Sequence, residues 1–246
     1  MAQILVRDDG IELDKPMLVE GLPGIGLVGK IATDHLVETL DMTYYAAVEC
    51  TGLPRLAVYE EGERGVLPPV RLYADEETNL LALQSDVPIS AEAASEFAAC
   101  VTGWLESEGV TPIFLSGLPA ETEDVPTLSG VAVGDATTWL DDADIPTPEE
   151  RGAISGPTGA LLARASETGL TSVGLIVESH PQFPDPAAAR RLIEGGIEPI
   201  ADIDIGVETL VEQAEQIRTQ REQLAQRMEE ATQEESTQAQ PLRMFQ

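Results

Sequence analysis

The chain has 246 residues, enough to bury one large core or one domain with a helical appendage. Its 44 acidic side chains against 14 basic ones leave a formal charge of −30, which argues against a nucleic-acid partner, because phosphate backbones need clustered Lys or Arg. No apolar run approaches the roughly 20 residues of a spanning helix and residues 1–10 lack the apolar stretch of a signal peptide, so no membrane role is expected.

In chain order, residues 17–20 predict a buried strand feeding a helix over 25–40, whose apolar Val28, Ala32, Leu36 and Leu40 recur every four residues. Strands are expected at 44–49, 57–60, 66–72 and 79–84, separated by Gly, Pro and acidic turns. Ser90 caps a long helix over 91–108 that Gly109 ends. The short run 112–116 is apolar on both faces, as in a parallel sheet. Weaker strand signals at 131–133 and 153–155 bracket an acidic helix near 135–142. A helix follows over 156–168, with Pro157 at its start and Gly169 past its end. Then come an apolar strand at 173–177 and a helix capped by Asp185 that runs to about residue 194. Strands alternating with helices of ten or more residues indicate an α/β domain with a largely parallel sheet flanked by helices, spanning 1–205.

After Gly206 the character changes. Val207, Leu210, Ala214, Ile217, Leu224, Met228 and Ala231 follow steps of three and four, interrupted by Arg221. They predict a C-terminal helix over 206–234, about 43 Å long at 1.5 Å per residue. A seam this narrow suits either an intersubunit coil or a helix folded back on its own domain, and the sequence leaves both open. Residues 235–246 turn to Gln, Thr, Ser and Glu and read as a flexible tail, about 25 Å in reach over its first seven residues.

Apolar residues make up 43% of the chain and recur in blocks, so the acidity belongs to a folded protein. Like charges repel over about 10 Å at 0.1 M salt but only about 3 Å at 1 M. The expectation is a halophile's protein whose compact state needs molar salt. Cys50 and Cys100 are isolated and lack C-x-x-C spacing, which predicts two free thiols in a reducing cytoplasm.

Candidate chemistry centres on Gly24, Gly26 and Gly29. They spell G-x-G-x-x-G after a strand, with Glu49 near a ribose-binding position; read with Lys30 they also spell G-x-x-x-x-G-K. Ile31 stands where a P-loop needs Ser or Thr for magnesium, and Pro23 favours a rigid turn, so a structural turn competes with an anion or nucleotide site. His35 and His180 are too far apart for a metal pair, and no metal or cofactor is expected. Glu178, Ser179 and His180 carry acid, nucleophile and base chemistry, yet neighbours in a strand point to opposite sides and cannot form one relay. The paired acids Asp141–Asp142, Glu149–Glu150 and Asp202/Asp204 are expected by density alone.

Three segments then point together: residues 20–29 (Glu-Gly-Leu-Pro-Gly-Ile-Gly-Leu-Val-Gly), 156–162 (Gly-Pro-Thr-Gly-Ala-Leu-Leu) and 178–188 (Glu-Ser-His-Pro-Gln-Phe-Pro-Asp-Pro-Ala-Ala). Their order and spacing resemble the proteasome assembly chaperone 2 family, over roughly residues 5–235; relatives tend to carry Thr-Pro where this chain has Ser179-His180. The resemblance implies an archaeal, phosphorylase/hydrolase-like α/β fold with an unused ancestral site, helical C-terminal additions and homo-oligomerisation. It also implies a non-enzymatic, ATP-independent partner of the proteasome core particle. Some archaeal relatives bind the α-subunit ring through a C-terminal hydrophobic–aromatic–any tripeptide, which Met244-Phe245-Gln246 matches after Leu242 and Arg243. The rival expectations are a nucleoside phosphorylase- or peptidase-like enzyme using the loop at Gly24–Gly29 with His180 or Glu178, and an adaptor that recruits clients to the proteasome.

Overall fold

A computed structural model describes residues 3–7, 10–59, 62, 64–120 and 125–210. Eight strands form one sheet: β1 (Gln3–Val6), β2 (Met17–Gly21), β3 (Thr43–Glu49), β4 (Val70–Asp75), β5 (Leu80–Ser85), β6 (Thr111–Pro119), β7 (Leu128–Val133) and β8 (Ser172–Ser179), in the order β1-β3-β4-β5-β2-β6-β8-β7. The central four, β5, β2, β6 and β8, run parallel, while every pairing outside them is antiparallel. The sheet is therefore mixed, which corrects the largely parallel arrangement expected from the alternation. The antiparallel strands come from the meander β3-β4-β5, with β1 on its edge, and from β7, which follows β6 too closely in sequence for a crossover helix and runs antiparallel to β8.

Helices cover both faces. Val19 and Leu115 point to one side, with α1 (Val28–Thr39), α3 (Thr137–Asp142), α5 (Pro186–Leu192) and α6 (Glu198–Ala201). Leu18, Leu83 and Phe114 point to the other, against α2 (Ala91–Glu108) and α4 (Gly156–Thr168). The caps follow the sequence closely: the Ser90 side chain accepts from Ala93 N–H, Gly109 and Gly169 end their helices in the left-handed region, and Asp185 accepts from Ala188 N–H.

Some elements differ from expectation. Of the strand expected over 57–60, the described residues 57–59 contribute a single bridge, Val58 with Leu67, and β4 starts at Val70 because Pro68 and Pro69 offer no amide to the ladder. Residues 153–155 form no strand. The first helix is broken at its start: a 3-10 turn at Ile25–Leu27, with Gly26 and Leu27 at positive φ, delays α1 to Val28. A π-turn at Ile193–Ile197 joins α5 to α6. The thiols also differ: Cys50 and Cys100, 50 positions apart, are bonded as a disulfide between the end of β3 and α2. Two separated Cys carry no spacing signal for this, and only the packing of α2 across β3 brings them together.

Among the described residues, no helix is long and apolar enough to cross a membrane. Of the C-terminal helix expected over 206–234, Leu210 is buried in the chain's own core and Val207 packs partly against it. Ala214, Ile217, Leu224 and Met228 lie outside the described residues, as does the tail with Leu242, Arg243, Met244, Phe245 and Gln246.

Candidate functional site

The three sequence segments meet at the carboxyl edge of the parallel strands. Glu20, the last β2 residue opposite β6, is fully buried. There the pairing of β2 with β6 ends, and the next β6 amide, Leu115 N–H, would lack a partner. It donates instead to Glu20 Oε2 at 3.1 Å. Glu20 Oε1 accepts from Leu22 N–H at 3.2 Å and from the Thr158 hydroxyl at 2.9 Å. One carboxyl group thus ties β2, β6 and the first turn of α4. Burial raises its pKa from 4.5 to about 7, more than the three donors pull it down.

The glycine loop rests on the ends of β6 and β8. Gly26, at φ 62°, lies so close to Ser179 that a Cβ there would sit 1.8 Å from its Oγ. Its carbonyl accepts from Asp185 N–H at 2.8 Å. Gly117 of β6 lets the preceding loop residue approach, since a Cβ there would meet the Ile25 carbonyl at 2.5 Å. Gly29 lets α1 approach Leu115 and the Glu20 carbonyl. Gly24, by contrast, is exposed and faces open space. The loop is closed by the chain's own side chains, so the two glycines at its tightest points serve packing.

Lys30 stands where a P-loop lysine would reach for phosphate. Its ammonium instead pairs with Asp34 at 2.9 Å and Asp86 at 3.6 Å. Asp86 also pairs with the buried Arg71, whose Nε–H donates to the Tyr73 hydroxyl at 2.8 Å, and Gln84 donates to Asp34 at 2.8 Å. Burial raises the Asp34 pKa, partly offset by Lys30. This network was not read from the sequence, because its members come from β4, β5, the turn after β5 and α1, with no common spacing.

Glu178, Ser179 and His180 do not converge. Glu178 accepts from Thr127 N–H at 3.1 Å. Ser179 is buried and bonds Asp185 at 3.3 Å, while the His180 ring accepts from Gln182 N–H at 3.1 Å and lies 5.0 Å from Phe183. Asp185 organises the turn by also accepting from His180 N–H and Ala188 N–H. Glu49, the ribose candidate, sits exposed at the end of β3 opposite Gln3. Among the described residues no group of three or more His, Cys, Asp or Glu is placed to hold a metal ion.

His35 has a structural task that its position in α1 did not reveal. Its Nε2 lies 2.6 Å from the Gly206 carbonyl and its Nδ1 lies 3.3 Å from the Thr209 hydroxyl. The Nε2–H tautomer satisfies both, donating to the carbonyl and accepting from the hydroxyl. With Leu210 buried beside it, His35 anchors the root of the C-terminal segment.

The chain matches the PAC2 family over residues 18–225. It is similar to an uncharacterized protein of Methanocaldococcus jannaschii, 27% identical over 221 residues and covering 87% of each chain. The fold is similar to the crystal structure of PbaA from Pyrococcus furiosus, described as an archaeal homolog of proteasome-assembly chaperone: TM-score 0.80, 27% identity, 96% of this chain and 97% of that one. It is also similar to that of PbaB from the same organism, described as an archaeal proteasome activator, with a TM-score of 0.74, 23% identity and coverage of 93% and 98%.

Proposed function

Since the chain belongs to the PAC2 family, we propose that it is a non-enzymatic partner of the proteasome core particle, acting in its assembly or docking on it. The observation that carries this reading is the likeness, over nearly the whole of both chains, to a protein described as an archaeal homolog of proteasome-assembly chaperone. The interior of the candidate site supports a role without bond-making: Gly26 is occupied by Ser179, and Lys30 is engaged by Asp34 and Asp86.

The docking element in this reading is the tail Leu242, Arg243, Met244, Phe245 and Gln246. An apolar side chain, an aromatic ring and a terminal carboxylate suit a pocket between α-subunits that offers a lysine. Homo-oligomerisation through Ala214, Ile217, Leu224 and Met228 would present several tails together, multiplying a weak single-tail affinity about a hundredfold or more. Val207 and Leu210 pack on the body, so this reading takes the later positions as the seam.

The test is capture by the immobilised full-length protein from a lysate of the source organism prepared in molar salt. The expected result is retention of core-particle α-subunits in stoichiometric amount. Retention of other proteins with no core-particle subunit would overturn the reading.

A further inference from the structure

We propose that the Cys50–Cys100 disulfide is a thiol-exchange site that controls an apolar arm at the carboxyl edge of the sheet. The arm is the connection between β3 and β4. It exposes Tyr59 at 82%, Val66 at 67% and Leu56 at 46%, more exposed large apolar side chains than any other single connection among the described residues. Inside the arm, among the described residues, only the Val58–Leu67 bridge and a turn from Leu53 N–H to the Cys50 carbonyl tie backbone to backbone. Its root is held harder. Gly52, at φ 87°, lies flush on Ala93 of α2, and the disulfide bonds Cys50, two residues earlier, to the middle of that helix.

The two sulfurs differ in access. Cys50 is buried, whereas Cys100 is partly exposed and lines a groove of about 550 Å³ between β1 and α2, together with Ile4, Ala99, Gly103 and Trp104. An incoming thiolate therefore attacks Cys100 Sγ. A new S–S bond forms there as the old one breaks, and Cys50 leaves as a thiolate that takes a proton from water. The second thiol of a dithiol then attacks the mixed disulfide and releases Cys100. The dithiol becomes a disulfide, giving up two electrons and two protons, and the protein gains both. The substrate class is a dithiol small or thin enough to enter the groove. The consequence is an arm that loses its one covalent tie to α2 and keeps, among the described residues, the Gly52 contact, the packing of Leu53, the Val58–Leu67 bridge and the bonds to the Pro68 and Pro69 carbonyls at its far end.

Arg55 and Arg64, both exposed on the arm, report its release, and exposed Arg164 on α4 reports the rest of the fold. Protein purified in molar salt without reductant is digested with trace trypsin before and after dithiothreitol. Reduction is expected to accelerate cleavage after Arg55 and Arg64 by about tenfold or more, through local opening, and to leave Arg164 unchanged. No acceleration, equal acceleration at all three sites, or free thiols in the unreduced protein would each overturn the proposal. Gly103→Leu tests the route separately. Its added side chain meets open space and improves helix propensity, so folding is retained. Reduction of this variant is expected to slow severalfold; an unchanged rate would contradict entry through the groove.

Discussion

Glu20 shows how much one side chain can decide. A buried carboxyl whose pKa is raised from 4.5 to about 7 favours the fold when protonated. That stability is fully present below about pH 4.5 and lost as pH rises through about 7, roughly 3 kcal/mol in all. Glu20→Gln can replace one oxygen only, leaving Leu22 N–H or Leu115 N–H unpaired at a cost of about 1–3 kcal/mol. Urea unfolding in constant molar salt should find this variant clearly destabilised at pH 5 and much closer to the parent at pH 8. A difference that does not change with pH would refute the assignment. The glycines divide in the same way. Gly26→Ala should cost about 3 kcal/mol, from its left-handed backbone and the collision with Ser179. Gly24→Ala, facing open space, should be nearly neutral by the same assay. The sequence made the turn legible because Gly and Pro punctuate locally. It could not reveal that Ser179 fills the turn, since that contact joins segments far apart in the chain.

At the scale of elements, the caps and the long apolar strands were readable because their signals are local. Ser90 with Gly109 and Asp185 with Pro186 mark helix ends through backbone chemistry that hardly depends on tertiary context. Strand direction was not readable: an apolar run such as 128–133 looks alike whether it runs parallel or antiparallel, and β7 runs antiparallel to β8. The four-residue edge strand β1 is too short to show alternation. The start of the C-terminal segment is fixed on the body, with His35 gripping Gly206 and Thr209 and Leu210 buried. If the seam beyond it joins subunits, Ile217→Asp with Leu224→Asp should reduce the mass found by light scattering in molar salt to that of one chain. An unchanged oligomer mass would place those residues in intrachain packing.

For the whole molecule, a formal charge of −30 is the dominant long-range term. Self-repulsion of this size should make the fold depend on screening, with a Tm in 2 M KCl higher than in 0.1 M by roughly 10 °C. Equal thermal stability at the two salt levels would contradict adaptation to high salt. The same charge bears on partner choice: any acidic surface is repelled at low salt, so assays of docking belong in molar salt, where short apolar contacts prevail.

The chain belongs to the PAC2 family, and its fold is similar to that of a protein described as an archaeal homolog of proteasome-assembly chaperone. The proposed role turns on engagement of the proteasome core particle through the chain's last residues. The direct measurement is co-elution with purified core particle from the same organism, in molar salt, comparing the full chain with one ending at Arg243. Co-elution of the full chain and its loss on truncation, with the circular dichroism spectrum unchanged, is the predicted result. Undiminished co-elution of the shortened chain would remove the tail from the mechanism, and failure of the full chain to bind would contradict the account itself.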